Sequence, residues 1–273
     1  MYSATTFINF SKNPSTIAIL CKFAIMRQIV LTILLVISAS ALLAQGEIKD
    51  SSLRITAVRL SYAAQLPAGN MVQRFGWNSQ LGLHVDYKTT GNVLFGLESS
   101  FIFGKKVKED VMSNLRTSDS AIIDQNGAYA IVLAYERGFM INAYTGYLWS
   151  KIGPNPNSGL LIKAGVGFLQ HKIRIEHNKN PVPALSDEYL YGYDRLTNGI
   201  NFTEFIGYQL LSNSRLLNFF AGFEFTQGFT QSRRDWNFNE YKKDETKRKD
   251  YLYGIRVGWI LPLYKRAPRE VYY

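Results

Sequence analysis

Any chemistry in this chain would be expected to start from its three histidines. His84 stands two residues before Asp86, and a histidine steadied by a carboxylate is the part of a nucleophilic relay that activates a serine. On an extended chain, however, residues two apart lie side by side on one face, so this pair is no ordered relay, and nearby Ser79 has the opposite parity. His171 and His177 are six residues apart with no third ligand close by, which falls short of a tetrahedral metal site, and they read as histidines at the base of a loop. No enzymatic activity, metal or cofactor is expected. What remains is a set of charges of both signs, Arg59, His84, Asp86, Glu98, Lys163, Glu224 and Arg256, each embedded in a run of alternating apolar residues.

The clearest run is residues 251–264, whose odd positions (Tyr251, Tyr253, Ile255, Val257, Trp259, Leu261, Leu263) are all apolar, whereas the even ones include Gly254, Arg256 and Gly258. Alternation of period two is the signature of a strand with one greasy and one mixed face. Aromatics at both ends of the greasy face, with small and polar residues opposite, are what a lipid-facing strand needs. Seven further runs follow the same rule, at residues 54–64, 74–87, 92–104, 128–149, 159–175, 199–211 and 217–229. The second would direct Phe75, Trp77, Leu81 and Leu83 outward, and the sixth would direct Glu204 outward as well, an anomaly unless that acid sits near a rim. The fourth is long enough to be two strands turning at Arg137-Gly138. One strand is preferred, because short connections at 88–91, 150–158 and 212–216 then alternate with mostly longer ones at 65–73, 105–127, 176–198 and 230–250.

Residues 26–44 have the charged, apolar and small-residue regions of a secretory signal, with cleavage expected after Ala44 although Leu42 is an imperfect −3 residue. Residues 1–25 then read as a mis-assigned extension, and residues 45–273 as the barrel domain. Cys21 would be lost with the extension, leaving a mature chain without cysteine, which suits passage through an oxidising periplasm. The formal charge of +10 falls to +7, because Lys12, Lys22 and Arg27 are removed, leaving 28 basic against 21 acidic residues. Beyond residue 44 no apolar stretch is long enough for a membrane helix.

Taken together, the signal, eight alternating strands, aromatic rims and unequal loops make the chain resemble the small outer-membrane barrels of the OmpA and OmpX type. The resemblance covers residues 54–264 and is one of architecture. It implies an all-β, eight-stranded antiparallel transmembrane up-and-down barrel located in the outer membrane. It also implies outer-membrane lipids around the wall and the barrel-assembly machinery during insertion, with no nucleic-acid partner despite a pI of 9.5.

Eight strands leave an interior just wide enough for side chains, so the inward charges must pair. An ion-pair network of Glu98, Lys163, Glu224 and Arg256 is expected to plug the lumen, the alternative being a proton or ion path through the same residues. Glu224 and Arg256 are expected at similar depth. Arg233, Arg234, Lys242 and Lys243, in the last long loop, are candidates for contact with lipopolysaccharide phosphates, weighed against a merely solvated loop surface. The expected role is structural or binding, through basic extracellular loops. Two alternatives stand beside it: an accessory of a secretion or uptake machine docked on the aromatic wall at Phe219, Phe223 and Phe225, and a lipid-modifying enzyme, which a Ser–His contact at the outer rim would favour. No protein partner is identified.

Overall fold

Each alternating run becomes a strand, and every barrel strand pairs antiparallel with its neighbours. The computed structural model describes Gln28 and residues 51–177, 181–186, 188–212 and 217–263. The expected signal, the stretch before it with Cys21, and Tyr264 lie outside them, apart from Gln28. Ten strands occur among the described residues: β1 Ile55–Gly69, β2 Asn78–Lys88, β3 Val93–Gly104, β4 Ile122–Ile123, β5 Tyr129–Ala130, β6 Leu133–Trp149, β7 Gly159–Glu176, β8 Thr197–Leu210, β9 Phe219–Ser232 and β10 Lys247–Leu263. Eight of them form a closed barrel in the order β1-β10-β9-β8-β7-β6-β3-β2. The first and last strands close the ring, with Thr56 opposite Leu263 and Gly69 opposite Asp250.

Strand parity matches the sequence reading along most of the wall. Leu97 and Phe223 are 63% and 66% exposed, whereas Arg59 and Arg256 are 2% and 0% exposed, which inverts the arrangement of a water-soluble protein. The run at 128–149 holds a single barrel strand that passes through Arg137-Gly138 without turning. It begins only at Leu133, because Tyr129–Ala130 pairs with Ile122–Ile123 in a small hairpin outside the barrel.

Two expectations are corrected, the direction of Phe75 and the bounds of the first connection, and the condition attached to Glu204 is not met. Phe75 does not face outward: the chain turns through Asn70–Gln73, Phe75 N–H donates to Met71 O, and the ring is fully buried edge-on to His171. The first strand meanwhile continues to Gly69, so the first connection is shorter and the second strand starts later than the pattern suggested. Glu204 is not at a rim, since it lies midway along β8 with Phe202 and Ile206 exposed on either side.

Strands of up to 18 residues exceed the roughly 9–11 needed to cross a bilayer, so they project beyond the membrane on the long-loop side. There the loops pack over the mouth, burying Met71, Phe75, Val111, Ile122, Leu185 and Tyr193 with inward residues such as Ile102 and Leu252. A second apolar cluster fills the opposite end, built from Ile55, Leu94, Leu148, Leu161, Phe205, Phe220 and Ile260. Room for its two rings comes from inner-face glycines: a Cβ on Gly258 would lie 2.3 Å from the Phe220 ring, and one on Gly222 2.7 Å from that of Phe205. The charged residues occupy the layer between these apolar ends.

Candidate functional site

Arg256, on β10, organises the interior. Its Nη1 donates to Glu98 Oε1 at 2.5 Å from β3, across the lumen, and its Nη2 donates to Glu224 Oε1 at 2.7 Å from β9. In the β9/β10 register Glu224 is opposite Gly254 and Arg256 opposite Gly222, so the pair is diagonal, two residues from the level pairing that counting from the loop suggests. The guanidinium spans that offset. Both carboxylates have further donors: Ser100 Oγ reaches Glu98 Oε1 at 2.6 Å, and Gln65 Nε2 reaches Glu224 Oε1 at 3.3 Å. A buried arginine shared between two acids in this way satisfies the demand that a low-dielectric interior makes on each charge.

Lys163 departs from the expected ion-pair network. It is buried beside Glu98 and Glu224, and the three line a small lumenal void with Asn142 and Thr203. Its ammonium, however, sits over the rings of Tyr144, Phe205 and Phe220, at 4.7, 4.8 and 5.5 Å. The aromatic faces stabilise the cation where the carboxylates are already taken by Arg256. One layer nearer the strand ends at Ile55 and Leu263, Arg59 grips Asp86 with Nε to Oδ1 at 2.5 Å and Nη2 to Oδ2 at 2.8 Å, while its Nη1 reaches Gln209 Oε1 at 2.8 Å.

A serine–histidine contact that the sequence did not disclose lies in the same layer. Ser61 Oγ is 2.8 Å from His84 Nε2, and His84 Nδ1 is 3.4 Å from Glu98 Oε2. Ser61 has inward parity, so it was a candidate, but its match to His84 depends on the register that sets Ser61 opposite Gly82. The Ser61–His84 distance is that of a relay, but His84 Nδ1 makes no hydrogen bond to Glu98, so no carboxylate orients the ring as a relay requires. Arg256 Nη1 approaches the same Nε2 at 3.2 Å, and a guanidinium can only donate, so the lone pair that would take the serine proton is already engaged. The contact is at mid-barrel, between the two apolar layers, rather than at the outer rim.

Toward the mouth, His171 is inside the barrel rather than at a loop base: its Nε2 is 2.9 Å from Asp250 Oδ2, which also accepts from Thr230 Oγ1 at 2.5 Å. Above it, ion pairs hold the cap. Arg195, almost fully buried, joins Glu109 to Asn239 and Glu240, and Arg74 lies 3.3 Å from Glu109. Arg248 contacts Asp244, whose carboxyl sits below the usual aspartate range: burial, the largest single influence, opposes the shift, and the hydrogen bonds from Arg248 and Thr246 together with the Arg248 charge outweigh it. Of the four loop cations expected to reach phosphates, Arg234 chelates Asp194 and stacks on Tyr191, Arg233 donates to Asn198 Oδ1 at 2.6 Å, and Lys242 and Lys243 are exposed beside Glu240 and Glu245. The hydrogen bond to Asp194 holds the Arg234 pKa above its ordinary value. Among the described residues no group of three histidine, cysteine or acidic side chains could hold a metal ion.

A closed ring of eight antiparallel strands, apolar outside and charged inside, defines a membrane-spanning β-barrel of the outer-membrane type. No protein-family model and no curated protein matches the chain. Among solved structures it is similar to Ail, the attachment invasion locus protein of Yersinia pestis, crystallised with the heparin analogue sucrose octasulfate, at 9% identity over 76% of this chain and 99% of that one, with a TM-score of 0.40. It is also similar to the outer membrane protein OprG from Pseudomonas aeruginosa, at 10% identity over 80% of this chain and 98% of that one, with a TM-score of 0.37. The assignment of the barrel rests on the strand registers of this chain alone.

Proposed function

We propose that the protein is a non-enzymatic outer-membrane barrel, exported by the signal at residues 26–44, that acts through its cap and its cationic outer rim on the lipid phosphates around it. The observation that carries this reading is the direction of the cations where the wall leaves the membrane. Arg137 on β6 is paired with Lys172 on β7, and Arg174 follows at the next outward position, just beyond the outward rings of Phe139 and Phe168. Cations next to an aromatic girdle lie at headgroup depth, where lipopolysaccharide presents its phosphates. Arg233, Lys242 and Lys243 add positive charge in the last long loop, the two lysines beside Glu240 and Glu245, while Arg234 contributes mainly to the cap through Asp194.

Native mass spectrometry of the barrel released from micelles containing lipid A tests this. The wild type should retain lipid A, and the triple variant Arg137→Ser, Lys172→Ser, Arg174→Ser should retain several-fold less while keeping its heat-modifiable mobility. Equal retention by both, or equal retention of dephosphorylated lipid A, would refute the phosphate reading.

A further inference from the structure

Glu204 stands alone among the outward residues of the membrane belt. On the eight barrel strands the outward positions between the aromatic rims are apolar, aromatic, serine or threonine; Gln170 on β7 stands at the rim itself, opposite Phe139, which leaves two exceptions within the belt among the described residues, Glu204 on β8 and Gln227 on β9. These are neighbours. Glu204 is opposite Phe225 and Gln227 opposite Phe202, and Gln227 Nε2 donates to Glu204 Oε1 at 3.4 Å. Beside them Ala164 leaves the carboxylate uncovered, and a groove of about 830 Å³ runs across the wall between Leu66, Ile206, Phe223, Phe225, Tyr253 and Ile255.

A carboxylate facing acyl chains is destabilising, and an intramembrane acid calls for a partner that supplies donors. We infer that this wall is the interface of a two-fold homodimer in which the Glu204 carboxylate of each copy accepts from the Gln227 amide of the other. The pair is self-complementary: one side chain only accepts when ionised, the other brings donors, and an isologous interface sets each residue type against its complement. Depth agrees as well. Atoms 3.4 Å apart lie at nearly one level in the membrane, and a two-fold axis along the membrane normal preserves level, so each amide meets the opposing carboxylate. The apolar groove around the pair receives the aromatic side chains of the second copy. This inference goes beyond the rim proposal and is independent of lipopolysaccharide binding.

The test is sedimentation equilibrium of the full chain in density-matched micelles, with oxidative cross-linking in a Cys21→Ser background. The wild type should show a dimer, Ile206→Cys beside Glu204 should cross-link, and Leu97→Cys on the opposite wall should not. Glu204→Leu with Gln227→Leu should weaken association about tenfold, as loss of hydrogen bonds within a membrane does, whereas Glu204→Gln, which keeps a hydrogen-bonding amide, should remain dimeric. Heat-modifiability shows that each variant is folded. A monomeric wild type, equal cross-linking from both walls, or association unchanged in the double leucine variant would overturn the dimer. So would capture of a different protein from position 206 in whole cells in place of the second copy.

Discussion

At the scale of single residues, the decisive feature is that one arginine serves two acids. Removing Glu224 leaves Arg256 with Glu98 as counter-ion, whereas removing Arg256 leaves two carboxylates with the aromatic-held Lys163 as their nearby permanent cation. Arg256→Met should therefore destabilise the barrel by about 3–5 kcal/mol, as breaking a buried pair does, and Glu224→Gln by less. The double variant should lose less than the sum of the two, because both act on one contact. Unfolding midpoints from heat-modifiability gels compare the three variants, and an Arg256→Met barrel as stable as Glu224→Gln would contradict a shared arginine. The same arrangement sets Arg256 Nη1 against the His84 nitrogen that Ser61 also approaches, so the lone pair there is shared.

At the scale of elements, the strands and the cap differ in what holds them. The strands are fixed by continuous ladders, and inner-face glycines such as Gly258 admit the rings that seal one end. The cap depends on ion pairs among Arg74, Glu109, Arg195, Asp244 and Arg248 over a modest apolar cluster. The folded-state pKa of Asp244 lies below the value near 3.9 expected for an unfolded aspartate, so protons bind the open loop more tightly than the closed one. Its stabilisation is thus fully present above about pH 4 and is lost as pH falls through the lower folded value. Hydrogen exchange corrected for intrinsic rates should show the amides near Thr246 opening at pH 3 while the barrel strands stay protected. Asp244→Asn should open the same amides at pH 7, and unchanged protection in both cases would remove Asp244 from the account.

For the whole molecule, the layering matters more than any pair. An apolar cluster at one end, a charged middle and an apolar cluster beneath the cap fill the interior in layers, and a ring of eight strands is just wide enough for such side chains. Planar-bilayer recordings should therefore show no steady, large conductance, and a sustained open level would refute the closed lumen. Export is a property of the same scale: N-terminal sequencing of the outer-membrane fraction should start near Gln45, and retention of residues 1–25 would refute the signal reading.

What the sequence determined by itself is the side of the wall each residue takes. Parity is local, because consecutive side chains on a strand must point in opposite directions, so Arg59, Glu98, Lys163, Glu224 and Arg256 were legible as inward and Phe223 and Leu97 as outward without any partner strand. The single fourth barrel strand through Arg137-Gly138 was legible for a related reason, since both chain ends on one side require an even strand count. Contacts across the lumen were not legible. Ser61 meets His84, Glu98 meets Arg256 and His171 meets Asp250 only because closing the ring of eight strands sets a stagger between segments far apart in the chain, which no local pattern encodes. Phe75 misled for a different reason. It continues the alternation of its neighbours, but a turn at Asn70–Gln73 carries it over the mouth, where burial under the cap outweighs the local pattern. Tertiary structure likewise decided that Lys163 would rest on aromatic rings, which neighbouring strands bring alongside, and that Glu204, outward by parity already, would stand at mid-strand rather than at a rim.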